Sequence, residues 1–188
     1  MSFANIVLKV VGWKAENRIG ELPPKAVAIA APHTSMWDFF YGYYAWRALG
    51  VRVKFLIKKE SFFFPMGVLL KSLGGIPVDR TSKNSIVKDV VAQFQKTDHM
   101  ILTITPEGTR AKVKRWKNGY HRIAEMAKVP VIVGFIDYKK KTAGVIKLYD
   151  LQGDSNYDTL QIMKYYTEFE GKYKDNFYLP PEVYSNRP

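Results

Sequence analysis

The chain has 188 residues, enough for one domain that buries its own core without cross-links. It contains no cysteine, which excludes disulfides, thiolate metal sites and cysteine nucleophiles and fits a reducing compartment. Lys and Arg number 29 against 17 Asp and Glu, and the resulting net charge of +12 asks for an anionic partner: nucleic acid, an anionic membrane surface, or a phosphorylated or acidic substrate.

In chain order, "FANIVLKVVGW" (3–13) spaces Phe3, Ile6, Val7, Val10 and Val11 as a helical face. Such a helix either docks on the core or lies on a membrane with Lys9 and Lys14 at the headgroups. "LPPK" (22–25) breaks the chain before "AVAIAA" (26–31), a buried strand. Residues 36–49 read as an aromatic-rich helix and 51–57 as a strand. "GGIPVDR" (74–80) reads as a turn and short strand. Ile86, Val87, Val90, Val91 and Phe94 then line one helical face, and 99–105 is the next strand. A helix over 117–128 turns Tyr120, Ile123, Ala124 and Ala127 inward. Strands follow at 129–138 and 144–151, separated by a basic turn, "YKKK" (138–141). A last helix is expected from Asn156 to Tyr173, before an irregular tail.

Alternating strands and helices predict a layered α/β domain. One domain covers 1–188: a helix and lead-in over 1–24, a core over 25–152, and a helix and tail over 153–188. No apolar run reaches the roughly 18 residues of a membrane span, and no leader is evident, so the expectation is a soluble or peripherally attached protein.

"AAPHTSMWDFF" (30–40) sets His33 and Asp38 five positions apart, straight after a strand. Ser35 followed by Asp38 fits a helix cap, which would leave His33 an ordinary loop histidine. The same spacing lets a carboxylate take one ring N–H, fixing the tautomer and freeing the other nitrogen to accept a proton. The pair alone does not decide between these readings. "TPEGTR" (105–110) follows its strand directly and offers backbone N–H groups, a hydroxyl and a guanidinium, a set that suits phosphate. Arg80 and the pair Lys58–Lys59 also stand at strand ends, where α/β domains build their sites.

Four blocks in order, "HTSMWD" (33–38), "GGIPVDR" (74–80), "PEGTR" (106–110) and "VPVIV" (129–133), resemble the signature of the glycerolipid acyltransferase superfamily, the 1-acylglycerol-3-phosphate acyltransferases. The resemblance implies a mixed, largely parallel sheet flanked by helices, with an amphipathic N-terminal helix. It implies an enzyme that moves a fatty acyl group from an acyl thioester, acyl-carrier-protein or acyl-coenzyme A, to a lysophospholipid hydroxyl. By position, His33 is the implied general base and Asp38 its orienter. Lys58, Arg80, Glu107, Gly108, Thr109 and Arg110 are the implied substrate-binding residues, with Arg80 and Arg110 on the phosphate. No metal or bound cofactor is implied. Pro32, Thr105, Ala111 and Gly134 depart from residues usual in the family, without removing a reacting group.

The basic run "RAKVKRWKNGYHR" (110–122) has six Lys or Arg and no acid. No nucleic-acid-binding signature accompanies it, so the expected partners are anionic lipid, at the cytoplasmic membrane face, or an acidic carrier protein. His99 and His121 have no acid at a telling spacing and read as structural or solvated. The reading from a different class is a phospholipid- or membrane-binding module without turnover. A serine hydrolase is disfavoured by the lack of a Gly-x-Ser-x-Gly elbow.

Overall fold

The computed structural model describes residues 2–79 and 83–185. Among these, seven strands form one sheet: β1 (Lys14–Asn17), β2 (Lys25–Ala31), β3 (Lys54–Lys58), β4 (Gly75–Val78), β5 (Met100–Ile104), β6 (Val131–Asp137) and β7 (Thr142–Tyr149), in the order β1-β7-β6-β2-β5-β3-β4. Every neighbouring pair is parallel except β6–β7, the hairpin expected from the basic turn.

The central strand β2 is apolar on both faces, as a parallel strand covered on both sides must be. Val27, Ile29 and Ala31 face one layer, α4 (Lys83–Lys96), α5 (Gly119–Ala127) and α6 (Ser155–Lys164). Ala26 and Ala28 face the other, where Trp46 of α2 (Trp37–Ala48) fills the room the alanines leave. Helix α1 (Phe3–Val10) packs on α2, and α3 (Met66–Ser72) runs between β3 and β4. The expected α/β layering and largely parallel sheet are present.

One open alternative is narrowed and two readings need correction. Helix α1 buries Ala4 and Leu8 and leaves Phe3, Ile6, Val10 and Val11 exposed, so the predicted apolar face points outward. Helix α6 stops at Lys164 rather than Tyr173. Beyond it the backbone turns, with Tyr166, Thr167 and Phe169 each bonding back three residues. Tyr166 and Phe169 are buried from those turns, which imitates helical spacing. Strand β1 and helix α3 have no counterpart in the sequence reading. The first is four residues of polar edge strand, and the second is two turns whose apolar residues are mostly exposed.

Candidate active site

Strands β6, β2 and β5 are parallel neighbours, so their C-terminal ends open on one edge of the sheet. His33 follows β2, Glu107 follows β5 and Tyr138 follows β6. That edge is where α/β sheets place ligands.

His33 Nδ1 lies 3.1 Å from Asp38 Oδ2. The same oxygen accepts the backbone N–H groups of Thr34 at 2.7 Å and Ser35 at 2.8 Å, while Oδ1 accepts the Tyr138 hydroxyl at 2.6 Å. Asp38 therefore serves the helix entry and holds the imidazole at once, and the two sequence readings are not exclusive. With a carboxylate oxygen as acceptor opposite Nδ1, that nitrogen carries the ring proton and Nε2 keeps its lone pair. The histidine side chain is 22% exposed and the aspartate 1%. Burial first, and then its bond to Asp38, push the Tyr138 phenol well above its usual range, so it remains a donor.

The loop after β5 supports His33 from behind. The Glu107 carboxyl accepts the His33 backbone N–H at 2.9 Å, and only 4% of the residue is exposed. Burial raises its pKa to about 8. The His33 bond opposes that rise and the nearby Asp38 charge adds to it. Gly108 closes the turn with φ +68°, and the Lys117 side chain occupies the space a Cβ would need. Thr109 and Arg110 follow on the exposed face of the loop, with Thr109 Oγ1 accepting the Ala111 N–H at 3.3 Å. Glu107 is thus turned inward against His33, and Gly108, Thr109 and Arg110 are the members of this block open to a ligand. Lys58 is exposed at the end of β3. Arg80 lies outside the described residues.

Two contributors carried no sequence signal. Tyr138 stands 100 positions from Asp38 and reaches it only because β6 lies beside β2. The segment after α6 crosses the site as well. Gly171 packs so closely on Thr34 that a Cβ would come within 2.8 Å of its side chain, and the Tyr173 N–H bonds Thr34 Oγ1 at 3.3 Å.

His121 has an acid after all, 37 positions away: its Nε2 lies 2.8 Å from Asp158 Oδ2, with both side chains buried. Burial pushes the Asp158 carboxyl up, but bonds from His121, Tyr149 and Gln152 outweigh it and hold the carboxyl below its usual range. His121 is structural, one of the two roles expected for it. Among the described residues no cluster of His, Asp and Glu is arranged to hold a metal, and no helix is long and apolar enough to cross a membrane.

A family model described as Acyltransferase matches residues 17–134. No curated protein matches the sequence. Among solved structures, the 1-acyl-sn-glycerophosphate acyltransferase PlsC of Thermotoga maritima superposes with a TM-score of 0.59 at 17% identity, over 84% of this chain and 72% of that one. At that identity the superposition speaks for the fold.

Proposed function

The chain belongs to the acyltransferase family, and from that premise we propose that it moves a fatty acyl group from an acyl thioester to the free hydroxyl of a lysophospholipid. The acceptor is 1-acyl-sn-glycerol-3-phosphate and the product phosphatidic acid. The observation that carries the reading is His33, held by a buried carboxylate at Nδ1 and leaving Nε2 without a partner among the described residues, at an accessible sheet edge.

In the reaction, His33 Nε2 takes the acceptor's hydroxyl proton as that oxygen attacks the thioester carbonyl. The C–O bond forms and the carbonyl becomes an oxyanion, which needs hydrogen-bond donors to stabilise it. Collapse breaks the C–S bond, and the imidazolium returns its proton to the leaving thiolate. Asp38 steadies the imidazolium throughout, and Tyr138 and Glu107 hold Asp38 and the His33 backbone. Arg110, Thr109, Lys58 and Arg80 bind the acceptor phosphate. The donor is acyl-carrier-protein or acyl-coenzyme A, and no bound cofactor takes part. The outward stripe of α1, with Lys9 and Lys14 beside it, supports peripheral attachment to the anionic cytoplasmic face of a membrane.

That exposed stripe equally fits the alternative, a membrane-binding module without turnover. Purified protein offered labelled acyl-carrier-protein and acyl-coenzyme A, with a panel of lysophospholipids, separates the two. Diacyl product that disappears in His33→Ala supports the enzyme and names donor and acceptor. A folded protein that binds phospholipid vesicles yet transfers nothing to any acceptor refutes it in favour of the module.

A further inference from the structure

A cavity of about 260 Å³ opens between the C-terminal end of α2, the start of β3 and the C-terminal end of α3. Four cations converge on it from these three elements: Arg47, Arg52, Lys54 and Lys71, with Tyr43 and the turn at Gly74 completing the wall. The lining holds no Asp or Glu, and among the described residues none of the four cations is ion-paired. Elsewhere the molecule does pair surface cations, as with Arg18 on Glu16 and Glu168, and Lys139 and Lys174 on Glu170.

Helix ends account for part of this charge. Arg47 and Lys71 lie in the last turns of α2 and α3, where the helix dipole favours a cation. Two such ends amount to roughly one negative charge between them, against four positive ones. Arg52 and Lys54 are surplus to that need, and like charges around one concavity attract an anion. Two guanidinium forks beside two ammonium groups match the oxygens of a phosphate.

The cavity is separate from the site at His33. Asp38 and Arg47 stand nine residues apart on α2, roughly 13 Å along the helix axis. Strand β3 likewise starts at the cavity with Lys54 and ends at the reactive edge with Lys58.

We propose that this cavity is a second phosphate-binding site, taking a phosphate ester at the sheet edge opposite His33. The proposal does not depend on the acyl-transfer reading. Its shared chemistry has two sources, the headgroup of an anionic phospholipid or a soluble phosphate ester.

The test is an NMR titration of the full chain with inorganic phosphate. Saturable shifts are expected at the amides of Lys54, Lys71 and Gly74, equally in the wild type and in His33→Ala. Arg52→Ala combined with Lys71→Ala weakens binding roughly tenfold or more, whereas Lys96→Ala with Lys147→Ala, the same charge removed elsewhere, leaves it unchanged. Shifts that do not saturate in the wild type, or that are spread over the surface, overturn the proposal whatever the variants do. An equal response in both double variants overturns it too. Co-sedimentation with phosphatidylcholine vesicles containing phosphatidylglycerol then names the source. A larger loss in the cavity variant than in its charge-matched control identifies the lipid headgroup. Equal losses, alongside the NMR result, identify a soluble phosphate ester.

Discussion

Two histidine–aspartate pairs sit in this molecule at nearly the same separation, 3.1 Å for His33–Asp38 and 2.8 Å for His121–Asp158. The first is at a strand end with its imidazole partly open; the second joins α5 to α6 with both side chains sealed. Distance therefore does not tell the two pairs apart. What differs is access to the histidine. An imidazole that no acceptor hydroxyl can reach has no proton to take, and its pairing goes into holding two helices together.

The sharpest way to break that comparison is to remove each histidine. His33→Ala should lower kcat by about 10³-fold or more with the melting temperature nearly unchanged, as expected for loss of a general base. His121→Ala leaves buried Asp158 short of a hydrogen-bond partner and should cost on the order of 1–3 kcal/mol of stability, while the folded fraction keeps its kcat. Chemical denaturation and steady-state kinetics on both variants check this. If the losses were exchanged, the assignment of roles would be wrong.

Asp38→Asn comes next. An amide at this position no longer selects the Nδ1–H tautomer, and kcat should fall by about 10²-fold or more even if binding survives. Full activity would show that Asp38 serves only the helix entry.

Glu107 sharpens the picture through pH. Its folded-state pKa is raised from 4.5 to about 8, chiefly by burial, so the protonated form favours the folded chain. That contribution is complete below pH 4.5 and is lost as pH rises through 8, a change on the order of a few kcal/mol. Glu107→Gln should flatten the fall in melting temperature between pH 5 and pH 9, the interval that brackets this titration. A variant that melts in parallel with the wild type would remove Glu107 as the cause.

Tyr138→Phe should have the smallest effect. It deletes one hydrogen bond to Asp38, worth about 1–3 kcal/mol because the acceptor is charged. Since Asp38 then holds the imidazolium less well, the acid limb of the kcat/KM profile should shift. An unmoved profile with reduced stability would make Tyr138 a packing residue only.

What was legible in the sequence follows the range of each interaction. His33 and Asp38 were readable because one strand–turn–helix carries both. The core positions of β2, β5, β6 and α4 were readable because burial repeats within a turn or two of chain. Which way the α1 stripe faces was left open, because periodicity shows that a stripe exists and not which neighbour covers it. Asp158 beside His121 and Tyr138 beside Asp38 were invisible, at 37 and 100 positions of separation.

The sequence by itself determined the α/β alternation, the pairing of His33 with Asp38 and the loop after β5, all of which arise from contacts close along the chain. The tertiary structure alone decided that β6 and β5 flank β2, and so which residues stand behind His33 and Asp38. It also decided that Arg47, Arg52, Lys54 and Lys71 share one cavity. Strand order depends on how all the apolar faces are buried together, and no local pattern encodes that choice.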